Sequence, residues 1–284
     1  MRLVASDLDG TIVRGDGSIS PRTLAAFAAC EAAGIAVLFV TGRPPRWMKV
    51  VAEATGHHGL AICGNGAVLY DLGTEQVVGT RALTARAVLD VVTAVRAVLP
   101  GAAFALETGS GYRREAVFRA HHDDARAARV GTVPELLADD PVVVKVLCRV
   151  EGTTADPILA AARAVLAGVA EPVHSNSEGS MIEISALGVS KASTLALVVA
   201  ERRIRPEEVV AFGDMPNDVP MLRWAGRGYA MADGHEEAIA AADDVAPPCS
   251  QDGVAQVIER LLAAHGVAPR SGGSSDGWSS PSDE

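Results

Sequence analysis

An α/β fold, in which a parallel sheet is flanked by helices and interrupted by an inserted α+β domain, is predicted for this 284-residue chain by three features. Short apolar runs alternate with helix-period segments as far as Leu60 to Cys63. The rhythm breaks at about Val68. It resumes after Leu187-Gly188. Alternation of this kind marks βαβ units.

The first run, Leu3-Val4-Ala5, reads as a buried strand. Pro21 to Ala33 reads as a helix, with Pro near its start and Gly34 as its stop. Ile35 to Val40 and Leu60 to Cys63 are further buried strands, with a helix over Pro44 to Ala54 between them. Val68 to Tyr70 and Gln76 to Gly79 form a strand pair around the turn signal Asp71-Leu72-Gly73. Helices are expected over Thr84 to Leu99 and Ala155 to Leu166. Strands are expected over Val142 to Val150, Val169 to His174 and Met181 to Ser185. About a hundred residues of this mixed pattern are enough for a second domain. The last stretch carries a helix at Ser190 to Arg202, a strand at Val209 to Phe212, and helices at Pro216 to Trp224 and Val254 to Ala264. Residues 271–284 are rich in Ser, Gly, Asp and Pro, the composition of a disordered tail in which Trp278 is the one large apolar group.

Composition narrows the function. A net charge of -10 makes the chain a poor non-specific partner for nucleic acid or an anionic membrane. It does not exclude an anionic small substrate, because a bound cation inverts the local charge. No apolar run reaches spanning length, and the N-terminus meets Asp7 and Asp9 too early for a signal peptide. A soluble, cytoplasmic protein is expected. Cys30, Cys63, Cys148 and Cys249 are too widely spaced for a zinc pattern and read as buried reduced thiols.

The chemistry sits at strand ends. Asp7 and Asp9 directly follow the first strand, where open α/β sheets bind ligands. Two carboxylates on one turn repel each other, and a divalent cation with a taste for oxygen relieves this. Thr41-Gly42-Arg43 follows the second strand, where a hydroxyl and backbone N–H groups suit phosphate oxygens. Lys191 begins a helix, which combines two anion-attracting features. Gly213-Asp214-Met215-Pro216-Asn217-Asp218 follows a third buried strand. Each segment alone is an ordinary turn, cap or surface charge; four at strand ends, or at a helix start beside one, are not coincidence.

In this order the segments resemble the motifs of the haloacid dehalogenase superfamily, most of all its Cof-type, sugar phosphatase-like branch with a type IIB cap. The resemblance rests on Asp7-Leu8-Asp9-Gly10-Thr11, Thr41, Lys191 and Gly213 to Asp218. It extends to Ala61-Ile62-Cys63-Gly64-Asn65-Gly66-Ala67 and to Asp252-Gly253-Val254-Ala255. It implies a Rossmann-like core over 1–82 and 187–268, an α+β cap over 83–186, and the tail over 269–284. It also implies a Mg2+-dependent phosphatase acting on a small phosphorylated metabolite through an aspartyl-phosphate. On this reading Asp7 is the nucleophile and Asp9 the acid and base. Asp7, Asp9 (by its main-chain carbonyl), Asp214 and Asp218 serve the metal. Thr11, Thr41, Gly42, Lys191 and Asn217 hold phosphate, and Arg43 and Asn65 are candidate substrate contacts. A phosphosugar mutase shares the motifs, and a non-catalytic binder of a phosphometabolite is the rival outside enzymes.

The cap is expected to act as a lid with hinges near 80–84 and 184–188. Arg113, Arg114, His174 and Asn176 are weaker specificity candidates, each with a structural role favoured. The same holds for Trp47 as a pocket border and for His57-His58 and His121-His122 as metal sites.

Overall fold

The computed structural model describes residues 1–57, 59–109, 111–119 and 128–264. His58, His121, His122, Trp278 and the segment 269–284 lie outside the described residues. The chain divides into two compact units: Met1–Gly79 together with the chain from Lys191 onward, and Thr80–Ser190.

In chain order the first unit opens with β1 (Leu3–Ser6), α1 (Pro21–Ala32), β2 (Ala36–Val40), α2 (Met48–Thr55), β3 (Leu60–Cys63), β4 (Val68–Asp71) and β5 (Gln76–Thr80). The second unit follows with α3 (Ala85–Val98), β6 (Ala103–Thr108), β7 (Gly111–Arg114), β8 (Arg129–Val130), α4 (Val133–Leu137), β9 (Val143–Arg149), α5 (Ala155–Leu166), β10 (Ala170–Val173) and β11 (Met181–Ala186). The first unit is completed by α6 (Lys191–Glu201), β12 (Val209–Gly213), α7 (Val219–Trp224), β13 (Arg227–Met231), α8 (Glu236–Ala241), β14 (Asp244–Ala246) and α9 (Gly253–Ala264).

The first unit's sheet runs β14-β13-β12-β1-β2-β3-β4-β5. It is parallel from β14 through β3, and β4 returns antiparallel to β3. Helices cover both faces. Leu3, Ala5, Leu38, Val40 and Ile62 pack against Leu195 and Val199 of α6 and Met221 and Leu222 of α7. On the other face Phe27 of α1 meets Phe39 edge-on at 5.7 Å, and Arg22 of α1 pairs with Glu259 of α9 at 2.6 Å. Burial of both faces explains why these strands read as unbroken apolar runs.

The second unit's sheet runs β10-β11-β9-β6-β7-β8, antiparallel except where β7 meets β8. Its strands alternate. Phe104, Leu106, Val146, Cys148, Ile182 and Ile184 face Val88, Val91 and Val95 of α3 and Ile158 and Leu159 of α5. Ala103, Ala105 and Leu147 lie on the reverse with Phe118. Thr84 caps α3 by accepting from the Ala87 N–H at 3.1 Å, as its position before the apolar stripe predicts.

The units divide at Gly79/Thr80 and Ser190/Lys191, a few residues from the 82/83 and 186/187 expected. The connecting segments are held inside the second unit: Leu83 donates its N–H to Val143 O, and Arg81 donates to Gly188 O at 2.9 Å. Other elements shift or were not expected. Pro44 to Ala54 splits into a 3-10 turn at Pro45–Trp47 and α2. The helix expected from Pro216 begins only at Val219, because Gly213 to Asp218 is committed to side-chain bonding as a loop. β6, β7, β8, α4, β13, α8 and β14 were not expected. They are short, or rich in Ala, Gly and charge, and give little period to read.

No helix among the described residues is long and apolar enough to cross a membrane. All four cysteines are buried and free, and burial pushes the thiols of Cys30 and Cys148 up to about 12. Leu106 is fully buried between α3 and α5. Leu106→Ala should therefore destabilise the second unit by about 2–5 kcal/mol, read as a lowered urea midpoint with unchanged slope. A midpoint equal to wild type would contradict this packing.

Candidate active site

Register brings the site together. Ser6 at the end of β1 pairs with Phe212 of β12 on one side and Phe39 of β2 on the other. The chain then leaves three adjacent strands at one level, as Asp7, Asp214 and Thr41. Asp7 is fixed there by its N–H, which donates to Phe212 O at 3.0 Å. The following turn is tight: Thr11, Ile12 and Val13 all donate backbone N–H groups to Leu8 O. Gly10 has φ +78°, and a Cβ on it would sit 2.2 Å from Asp214 Oδ2, so a side chain at position 10 would strain the turn and push the Asp214 carboxylate aside.

Lys191, the first residue of α6, is 0% exposed. Its Nζ donates to Asp7 Oδ1 and to Asp218 Oδ1, each at 2.6 Å. Burial works against the ammonium, but the charges of Asp218 and Asp7 outweigh it and hold the pKa above the usual lysine range. Asp218 uses its second oxygen to accept the N–H groups of Asp214 and Met215, both at 3.1 Å, which braces the loop.

The carboxylates of Asp7, Asp214 and Asp218 offer oxygens within 4.8 Å of one another, all buried. Three negative groups face one ammonium. Burial raises the Asp7 carboxyl to about 7, with Lys191 pulling it down and Asp218 adding to the rise. Burial likewise raises Asp214 well above the ordinary range, with Asp7 and Asp218 adding to it. The excess charge and an all-oxygen donor set fit a hard divalent cation such as Mg2+. A further sign is the buried Oδ1 of Asn217, an acceptor with no hydrogen-bond partner. The carboxylates of Asp7, Asp214 and Asp218 would hold the ion.

The other expected residues divide. Asp9 is the solvent-facing carboxylate of the turn, its side chain 55% exposed. Arg43 grips it in a two-pronged pair, Nε to Oδ2 at 2.8 Å and Nη2 to Oδ1 at 2.5 Å. Thr41 is buried, and its Oγ1 accepts the Arg43 N–H at 3.0 Å. Thr11 donates its hydroxyl to Asp214 Oδ1 at 3.1 Å. Asn65 is buried and accepts from Asn217 Nδ2 at 3.0 Å. Gly42, between Thr41 and Arg43, is half-buried.

The weaker candidates are engaged elsewhere. In the second unit Arg113 binds Leu136 O and Asp139, and Arg114 binds the carbonyls of Glu115, Ala116 and Phe118. His174 meets Asp156 at 2.6 Å, and Asn176 Oδ1 accepts from Glu178 and Gly179 N–H groups. In the first unit His57 is buried beside Phe39 and meets Glu31 at 3.2 Å. Trp47 is half-buried under the Arg46 guanidinium. Sequence reasoning missed the Arg43 to Asp9 grip and the Asn65 to Asn217 bond. Neither has a local signal, since their partners lie 34 and 152 residues apart.

The family profile of the haloacid dehalogenase-like hydrolases matches residues 4–258. The 5-amino-6-(5-phospho-D-ribitylamino)uracil phosphatase YcsE of Bacillus subtilis is 27% identical over 262 residues, 92% of this chain and 96% of its own. The pyridoxal phosphate phosphatase YbhA of Escherichia coli is 26% identical over 274 residues, 90% of this chain and 97% of its own. Among solved structures, the subclass IIB sugar phosphatase BT4131 superposes with a TM-score of 0.75 at 21% identity, over 94% of this chain and 100% of that one. With the match running from the first strand to the last helix, and the motif residues converging where the strands end, this chain belongs to the haloacid dehalogenase-like hydrolases, as one of their phosphatases.

Proposed function

We propose that the protein is a Mg2+-dependent phosphatase that hydrolyses a small phosphomonoester, a sugar phosphate first among them, through an aspartyl-phosphate on Asp7. The observation that carries this reading is the buried Lys191 ammonium bridging Asp7 and Asp218, with Asp214 beside them. Three buried carboxyl groups around one ammonium leave room for further positive charge, which supports a bound cation. The names of the full-length relatives point to different phosphorylated metabolites, so they support the class and not one substrate.

Chemically, a carboxylate oxygen of Asp7 attacks phosphorus, the bond to the ester oxygen breaks, and Asp9 gives that oxygen its proton. Water then attacks the aspartyl-phosphate, Asp9 takes its proton, and Asp7 leaves as a carboxylate with inorganic phosphate released. Lys191, Thr41 and the Gly42 N–H orient the phosphoryl oxygens, and Lys191 screens the approach of Asp7 to an anion. Asn217, whose N–H2 end is taken by Asn65, turns its acceptor Oδ1 to the ion or its water. Thr11 serves the group through Asp214, to which its hydroxyl is bonded. Arg43 holds Asp9 beside the turn until an incoming phosphoryl group competes for the guanidinium. Mg2+, when bound, supplies charge that offsets the three carboxylates and the phosphoryl oxygens.

Phosphate release should depend on Mg2+ across a panel of sugar phosphates, flavin mononucleotide and pyridoxal phosphate. Asp7→Asn should lower kcat by at least about 10³-fold. Retained turnover in this variant would remove Asp7 as nucleophile. Asp9→Asn should lose about 10²–10⁴-fold on an alkyl phosphate and less on p-nitrophenyl phosphate, whose leaving group needs little proton. Equal losses on both would rule out Asp9 as the acid.

The metal-free protein carries a pH signature. In the folded chain Asp7 holds its proton to about 7 against an ordinary 3.8, so ionising it works against folding. Stability relative to Asp7→Asn should fall as pH rises through that window in EDTA. The melting temperature of the variant should then exceed that of wild type at pH 8, and the gap should shrink towards pH 4. Added Mg2+ should close the gap at pH 8 by favouring wild type. A pH-independent gap would contradict the assigned charge balance.

A further inference from the structure

Asn65 reads as a substrate contact by its place after β3, but its surroundings assign it other work. It is 3% exposed and sits at φ +58° in a turn, Gly64–Gly66, that is bonded on several sides. Gly64 donates its N–H to Arg43 O and Asn65 donates its own to Thr41 O, each at 3.0 Å. Gly66 O accepts the hydroxyl of Thr194, three residues into α6 from Lys191, at 2.7 Å. The Asn65 side chain closes the set by accepting from Asn217 Nδ2 at 3.0 Å. One turn thus touches the segments that carry Thr41, Lys191 and Asn217.

We propose that Asn65 is a positioning residue: it binds the N–H2 end of the Asn217 amide and thereby presents the other end, the unpartnered buried Oδ1, to the bound ion and its water. This rests on the phosphatase reading given above. A primary amide has two ends and an easy rotation about its χ2 bond, with broad, roughly two-fold preference. Anchoring the N–H2 end to a buried acceptor removes that freedom. The anchor is itself held, since the αL backbone at position 65 is pinned by Thr41 and by the neighbouring bonds of Gly64 and Gly66.

The test uses the full chain with Asn65→Gly, Asn217→Ala and the double variant. Glycine keeps the αL backbone and deletes only the side chain. Asn65→Gly should lower kcat about 5- to 100-fold, the range expected for one buried hydrogen bond, with KM little changed. The double variant should be no slower than Asn217→Ala alone. Independently of turnover, the Asn217 side-chain N–H2 resonances of ¹⁵N-asparagine-labelled protein should move in Asn65→Gly. They should stay in place in Asn65→Asp, which keeps an accepting oxygen. Additive losses, a change confined to KM, a silent Asn217→Ala, or unmoved Asn217 resonances would each overturn the assignment. Absence of turnover in wild type would instead sink the phosphatase reading, and the resonances would still decide the role of Asn65, through Asn65→Ser, whose shorter side chain should also move them, should Asn65→Gly not fold.

Discussion

A lysine ammonium with no exposed surface is the constraint around which the first unit is organised. Removing an ion from water costs several kcal/mol unless geometry and partners restore what hydration supplied. Lys191 meets that demand with Asp7 and Asp218, which come from opposite ends of the sequence. Asp7 must therefore leave β1 at a fixed height, and the strand registers with β2 and β12 set that height. Asp218 must turn back to brace its own loop, which is why helix α7 starts after it. Deleting Lys191 would leave the buried carboxylates with no ammonium among them, and breaking comparable buried pairs costs about 3–5 kcal/mol.

Around that pair each polar group has a division of labour. Asp218 spends one oxygen on Lys191 and the other on backbone N–H groups. Thr11 ties Asp214, and Gly10 clears space for it. Asp9 stands apart, near water and under Arg43, in a setting unlike that of Asp7 two residues earlier. Two carboxylates on one turn so acquire different environments, which is the physical basis for giving them different tasks.

Much of this was legible in the sequence. The buried strands of the first unit announce themselves because both sheet faces are covered, so their apolar runs are unbroken. The long helices of the second unit are equally plain from Val88, Val91, Val92 and Val95. β6 and β7 are not, because Ala103-Phe104-Ala105-Leu106 alternates small with large and Gly111 to Arg114 carries two arginines. Motif residues were found by type and position, whereas their bonding was not. Nothing local in Arg43 or Asn65 tells that one holds Asp9 and the other Asn217, since both bonds form only when distant segments meet.

The insertion has a consequence for how the chain comes off the ribosome. Asp7 and Lys191 are 184 residues apart, and the whole second unit is translated between them. At about 5–20 residues per second that interval is roughly 10–40 s. The second unit is contiguous and can complete its own sheet as it emerges. The first half of the other sheet cannot gain β12, and Asp7 cannot meet its cation, until that is done. A nascent chain so built exposes the edge of β1 for tens of seconds, which makes the speed of the inserted unit's synthesis a determinant of how cleanly the site assembles.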